Sequence, residues 1–275
     1  MISRSGVRLI GHPISHSLSP VMHNAALASA GISLEYTAMD VESDSLATVL
    51  ATFRRSNVAG NITVPYKKRA LSAMQKLTPV ASRAGAVNTF WVDSDGDLAG
   101  DNTDVAGFNE LIFELLGAIP EKARVAVLGA GGAAAAVVSA IDRWPGAEVT
   151  VHARDLSQAS VMQTRHSVVV RACSMRDPRL SDATIVVNAT TIGIGDSNEL
   201  PVEIERLAEG ALVVDLNYGP RETVFVRDSR ARGHVAADGL RMLLFQGAAS
   251  FHRWFGVDAD TDAMWNALLK QTGRG

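Results

Sequence analysis

One short stretch constrains the fold of this chain more than any other: RVAVLGAGGAAAAV, Arg124 to Val137. The apolar run at its start predicts a strand, the glycines a tight turn, and the small residues beyond them a helix. That order frames Gly129-x-Gly131-x-x-Ala134. Gly129 permits the tight turn, Gly131 lets a pyrophosphate approach the backbone, and Ala134 lets helix and strand pack closely, with the helix N-terminus facing the phosphates. The stretch predicts dinucleotide binding; a strand–helix turn without a ligand is the plainer alternative. Val125 to Ile141 is almost free of polar residues, yet it is shorter than the roughly 20 residues a membrane helix needs and is interrupted by glycine.

The same rhythm continues downstream. Strands are expected at Glu148–His152, Val168–Ala172, Ile185–Ala189 and Leu212–Leu216, with helices at Pro201–Ala208 and Glu222–Arg232. Short apolar strands alternating with helices predict a Rossmann-type, doubly wound parallel sheet. The front of the chain reads differently. Strands are expected at Val7–Ile10, Leu34–Val41 and Val58–Val64, and a hairpin pairs Ala86–Val92 with Leu98–Asp101 around Asp95-Gly96. One helix should start at Ser19-Pro20, with Ser as N-cap and Pro at the first helical position, and run to Gly31; another spans Ser43–Arg55. An amphipathic helix from about Asp104 ends near Gly117, and the tail from Gly239 is helical, closing with Asp260–Gln271. The fold class is therefore α/β in two domains, an N-terminal mixed α/β domain and a parallel-sheet domain, with the change of pattern near residue 103.

The 275 residues carry 26 basic and 29 acidic side chains, a net charge of −3. No excess of basic charge points to nucleic acid or to an anionic membrane. Cys173 is the only cysteine, so no internal disulfide forms. Ile2 to Pro20 is broken by Ser, Gly, His and Pro before a signal-peptide core accumulates, and a cytoplasmic protein is expected. His12 and His16 are four apart, but Pro13 breaks helical spacing, and no metal is expected.

Several polar motifs carry two readings each. In NITVPYK, Asn61 and Thr63 alternate onto one strand face, and Lys67 is either an ammonium aimed into a cleft or the start of an exposed helix. Asp104 in GDNTD has the pattern of a helix N-cap, and Asn88 in GAVNT that of a polar hairpin residue. Ser17 and Ser19 at a helix N-terminus form a natural carboxylate pocket, although an N-cap role explains Ser19 by itself. After the second parallel strand come Arg154, suited to a 2′-phosphate and hence NADP, and Asp155, suited to a free 2′-hydroxyl and hence NAD. A guanidinium is well matched to a phosphate, which favours NADP.

Taken in order, SHSLSP, NITVPYK, GAVNT, GDNTD, GAGGAA, NATTIGI, DLNYGP and DGLRMLLFQGA span nearly the whole chain, and together they resemble the shikimate dehydrogenase family. The resemblance implies two α/β domains with a cleft between them: a substrate domain of residues 1–103 plus 238–275, and a dinucleotide domain of residues 104–237. It implies reversible reduction of 3-dehydroshikimate to shikimate with NADPH, a small-molecule substrate, and a monomer or homodimer. Lys67 and Asp104 would be the catalytic pair. Ser17 and Ser19 would hold the substrate carboxylate, Asn61, Thr63, Asn88, Asp104 and Gln246 its ring hydroxyls, and Tyr218 would line the site. Gly129, Ala130, Gly131, Gly132, Ala133, Arg154, Asp155, Ala189, Thr190 and Gly239 would contact the cofactor, NADP, with NAD as the alternative. Two positions depart from the family: Ala153-Arg154-Asp155 stands where Asn-Arg-Thr is frequent, and Ile194 where many members have Met. Quinate or dual quinate/shikimate dehydrogenases using NAD, and a non-catalytic metabolite sensor of the same fold, are the competing readings.

Overall fold

The computed structural model describes residues 4–176, 180–195 and 197–275. It divides into two compact units, one running up to Gly107 and resuming at Leu243–Gly275, the other comprising Phe108–Met242.

The first unit begins with β1 (Gly6–Gly11), α1 (Ser19–Ser29), β2 (Tyr36–Asp40), α2 (Leu46–Arg55) and β3 (Val58–Ile62). Then come β4 (Lys76–Leu77), α3 (Pro79–Ala84), β5 (Thr89–Val92), β6 (Leu98–Asp101) and the start of α4 (Asp104–Leu116). Its sheet has the order β2-β1-β3-β5-β6-β4. β1 pairs parallel with β2 and β3, whereas β5 runs antiparallel to β3 and β6. The hairpin anticipated around Asp95-Gly96 forms, with Thr89 opposite Asp101 and Val92 opposite Leu98. One face of the sheet buries Ile10, Leu50, Ile62, Tyr66, Phe90 and Leu98 in a single apolar cluster, the main stabilising contribution for such a sheet.

Two local expectations for this unit change. Ser19 is the first residue of α1 rather than its cap. Leu18 occupies the cap position with helical dihedrals, and the backbone N–H of Ser19 donates to Ser17 Oγ at 3.3 Å. The segment before α2 starts as a 3-10 turn over Ser43–Ser45. Within α1, His23 is fully buried, stacked on Tyr36 at 4.4 Å between ring centroids and 5.0 Å from Trp254. Burial pushes its imidazole pKa down to about 3 and keeps it neutral.

The second unit contains the rest of α4, β7 (Arg124–Leu128), α5 (Gly132–Ile141), β8 (Glu148–Ala153), α6 (Leu156–Gln163) and β9 (Val169–Ser174). It continues with β10 (Ile185–Asn188), β11 (Leu212–Asp215), α7 (Val224–Ala231) and β12 (Ala236–Ala237). All its strand pairings are parallel, in the order β12-β11-β10-β7-β8-β9. Counting strands within the unit, this is the 3-2-1-4-5-6 order of a dinucleotide-binding sheet, whose ligand crevice lies where the winding reverses, between its first and fourth strands. Here those strands are β7 and β10. Pro201–Ala208 forms only a 3-10 turn over Ile204–Arg206. Val202, Ile204 and Leu207 all enter one buried cluster, whereas residues two apart on an α-helix lie on nearly opposite faces, so the core selects the tighter, irregular path. The chain returns to the first unit along α8 (Leu240–Phe255), followed by α9 (Thr261–Thr272), which is capped by Asp260 and ended by left-handed Gly273. No described helix is long and apolar enough to cross a membrane.

At the C-terminal ends of adjacent β10 and β11 sit Asn188 and Asp215, both fully buried. Asn188 Nδ2 and the backbone N–H of Asn217 donate to Asp215 Oδ1 at 2.9 and 3.1 Å. Desolvation nevertheless pushes the Asp215 pKa up to about 6, and the charge of Asp238 adds to the rise, against hydrogen bonds from Thr223, Asn217 and Asn188. Between the ordinary value of 3.8 and about 6 the folded chain holds a proton that the unfolded chain has released. This site's contribution is therefore complete below about 3.8 and is lost as pH rises through about 6. Asp215→Asn lacks that titration. Its Tm minus the wild-type Tm should increase between pH 4 and pH 7, measured by thermal melts across the range; a difference independent of pH would contradict the assignment.

Candidate active site

The first unit brings five of the polar residues singled out in the sequence into one hydrogen-bonded set. Lys67 follows β3 through the Pro65 turn, and Asp104 opens α4. The Lys67 ammonium meets Asp104 Oδ2 at 2.7 Å, with only 16% and 7% of the two side chains exposed. The other carboxylate oxygen of Asp104 accepts from Asn88 Nδ2 at 2.8 Å. Asn88 Nδ2 also approaches Thr103 Oγ1 at 3.0 Å and Gln246 Oε1, on α8, at 3.4 Å. Asn61 joins through its own Nδ2, which donates to the Asn88 carbonyl at 3.1 Å. Its Oδ1 accepts from the Tyr36 hydroxyl at 2.8 Å.

Lys67 is therefore not the start of an exposed helix, and Asn88 is a hub rather than merely a polar hairpin residue. Among the described residues, no hydrogen bond ties Ser17, Ser19 or Thr63 to this set. Ser19 is buried and Ser17 partly so, on the loop that enters α1, and Thr63 follows β3, its backbone N–H donating to the Ile10 carbonyl at 2.8 Å. Sequence reasoning missed Tyr36, Thr89, Thr103 and Ser250, which surround the two asparagines. Thr89 and Thr103 lie inside the GAVNT and GDNTD motifs, which was the available signal; Ser250 and Tyr36 had none.

A buried ammonium–carboxylate pair of this kind is costly to desolvate and persists where further hydrogen bonds satisfy its lone pairs. Asn88 supplies one. The arrangement offers, side by side, a proton donor and a carboxylate able to accept from a hydroxyl, which suits proton transfer at a polarised C–O group.

The second unit carries the features expected of a dinucleotide. Gly129 adopts φ +108°, and a Cβ there would lie 2.9 Å from the Ala189 carbonyl oxygen. A Cβ on Gly131 would meet nothing within 4 Å, so open space faces the backbone at the head of α5, which has no side-chain cap. Ala130, Gly132 and Ala133 complete that turn and first helical residues, and Ala134 is fully buried against the sheet. Ala189 donates its N–H to the Leu128 carbonyl at 2.8 Å, fastening the end of β10 to the end of β7. Thr190 N and Oγ1 both donate to Asn188 Oδ1, and Asn188 and Asn217 side chains both donate to the Ile192 carbonyl. Gly239 tolerates no side chain either, since a Cβ would sit 2.2 Å from the Leu216 oxygen. Tyr218 is partly buried beyond β11.

Arg154 and Asp155 part ways. Asp155 caps α6, accepting from Ser157 N and Oγ at 2.9 and 2.7 Å, and these bonds hold its pKa below the usual carboxylate range. Arg154 is exposed at the end of β8. The donor set thus fits a dinucleotide, with a cation rather than a free carboxylate offered where a ribose 2′ substituent is read.

Comparison with known proteins agrees with this geometry. Residues 9–90 match the family model of the shikimate dehydrogenase substrate binding domain, and residues 239–269 that of the shikimate 5'-dehydrogenase C-terminal domain. An NADP(+) shikimate dehydrogenase of Thermus thermophilus is 39% identical over 96% of this chain and 98% of its own length. One from Rubrobacter xylanophilus is 39% identical over 95% and 94%. The shikimate 5-dehydrogenase of Thermus thermophilus solved in complex with NADP(H) and shikimate superposes with a TM-score of 0.86 at 37% identity, covering 97% of this chain and 98% of that one. On this evidence the chain belongs to the shikimate dehydrogenase family.

Proposed function

We propose that the protein is an NADP-dependent shikimate dehydrogenase, an oxidoreductase that reversibly reduces 3-dehydroshikimate to shikimate in aromatic amino acid biosynthesis. The observation that carries the reading is the shielded Lys67–Asp104 contact at 2.7 Å, in a chain whose full-length relatives bear that name. Those relatives do not favour the quinate or sensor readings. A cytoplasmic monomer or homodimer is part of the same proposal, as is the assignment of residues 1–103 with 238–275 to the substrate and 104–237 to the dinucleotide.

When bound, the nicotinamide cofactor supplies the hydride for reduction of the ketone and takes it back in the reverse direction. The turn from Gly129 to Ala133 would hold its pyrophosphate, with Ala189, Thr190 and Gly239 as further contacts, and Arg154 would pair with its 2′-phosphate. Lys67 Nζ donates its proton to the ketone oxygen as negative charge develops there, and the ammonium stabilises that charge before transfer. Asp104 orients Lys67 through Oδ2 and accepts from the neighbouring ring hydroxyl. Asn88 and Gln246 fix the remaining hydroxyls, with Asn61 and Thr63 beside them. Ser17 and Ser19 receive the carboxylate at the head of α1, and Tyr218 lines the site.

Reduced-nicotinamide absorbance should report turnover with shikimate, and kcat/KM should be higher with NADP than with NAD. Arg154→Ala should lower kcat/KM for NADP by about tenfold or more, the effect of losing a charge-assisted contact, and leave NAD turnover nearly unchanged. A strong NAD preference in the wild type would overturn the cofactor assignment. Lys67→Ala should reduce kcat by about 10²- to 10⁴-fold with shikimate binding largely retained. A wild-type kcat in that variant would remove Lys67 from the chemistry.

A further inference from the structure

We propose that Ser250 is a positioning residue for the reaction, the hub of a buried hydroxyl cluster that holds the Asn61 and Asn88 side-chain amides in place. The inference rests on the substrate reading above and deepens it.

Ser250 lies on α8, one turn beyond Gln246, and is fully buried. Its hydroxyl stands 2.8 Å from Thr89 Oγ1 and 2.9 Å from Thr103 Oγ1, and those two are 3.0 Å apart. Three hydroxyls from β5, from the segment before α4 and from α8 thus close a triangle. Ser250 Oγ also lies 2.9 Å from the Gln246 carbonyl oxygen, to which it can donate.

One-way partners fix which way each asparagine faces, Thr103 N–H and Asp104 for Asn88 and the Asn88 backbone carbonyl for Asn61, and the triangle holds the amides in that orientation. Asn88 Oδ1 accepts from Thr103 N at 2.7 Å and is within 3.0 and 3.2 Å of the Thr89 and Thr103 hydroxyls. With the oxygen occupied on that side, Nδ2 must face Asp104. The flipped amide would set a carbonyl oxygen against the carboxylate and an NH₂ against the Thr103 N–H, leaving buried donors and acceptors unmatched. Asn61 Nδ2 lies 3.0 Å from both Ser250 Oγ and Thr89 Oγ1, while Tyr36 holds its oxygen. Asn61 is therefore committed on both ends to the protein, and it shapes the site chiefly by carrying the Asn88 backbone. A hydroxyl both donates and accepts, so the cluster satisfies these amides without placing a charge beside the Lys67–Asp104 pair. Ser250, wholly buried, acts only through these neighbours.

The test uses the full-length protein in three variants: Ser250→Ala and Thr89→Val, which delete a hydroxyl, and Thr89→Ser, which keeps it. The measurements are KM for shikimate and for NADP separately, the shikimate Kd by calorimetry without cofactor, and Tm. Ser250→Ala and Thr89→Val should raise the shikimate KM and Kd by about tenfold, in line with leaving a buried amide unmatched, with the NADP KM unchanged and Thr89→Ser close to wild type. Should Ser250→Ala fail to fold, the Thr89 pair carries the same comparison. A wild type that turns over shikimate alongside deletion variants with wild-type shikimate KM and Kd would overturn the positioning role alone, as would equal losses toward both substrates or a Thr89→Ser variant as impaired as Thr89→Val. A wild type without shikimate turnover would overturn the enzyme reading and this role with it.

Discussion

An ammonium and a carboxylate that touch at 2.7 Å while mostly shielded from water impose conditions on everything around them. Each charge has given up hydration, so the pair is retained only where the protein returns polar contacts at fixed angles. Asn88 provides one such contact to Asp104, and its own oxygen is tied down in turn by Thr103. The polar interior of the first unit thus follows from the pair outward: a layer of amides against the charges, then a layer of hydroxyls against the amides, then apolar packing. A low-dielectric setting strengthens each of these bonds and makes each missing partner expensive.

The second unit solves a different problem with backbone instead of side chains. Its strand order puts the ends of β7 and β10 side by side, and the chain there is stripped of side-chain bulk. Gly129 is strained for any L-residue and closes on Ala189, and Gly239 closes on Leu216. What remains is a surface of peptide groups at the head of α5, the chemistry that receives a phosphate without a cationic side chain. Arg154 adds an exposed cation at the end of β8, and Asp155, next to it, is absorbed into capping α6.

How much of this was legible beforehand depended on the range of the forces involved. The strand–turn–helix at β7 and α5 and the β5–β6 hairpin are local, set by glycines and by alternation within a few residues, and they form where expected. Pro201–Ala208 was misread because helical composition was outweighed by three apolar side chains seeking one core. Ser19 was misread as a cap because the preceding turn already had helical dihedrals. Lys67, Asp104 and Asn88 were visible as motifs but ambiguous one at a time; each motif also has an ordinary structural use. Ser250 could not be found at all, since it meets Thr89 across 161 positions and a lone serine in a helix leaves no pattern.

The first unit is split in sequence, its sheet and α1 encoded at the front and α8 and α9 at the back. Synthesis of the intervening Phe108–Met242 segment therefore finishes before the helix bearing Gln246 and Ser250 exists. During translation the front sheet waits with Asn61 and Asn88 lacking their partners Ser250 and Gln246, while the inserted unit is continuous in sequence. Completion of the polar layer behind the charged pair is thus among the last events in making the molecule, and a chain truncated before α8 would carry the pair and Asn88 without the two α8 side chains that brace the asparagines.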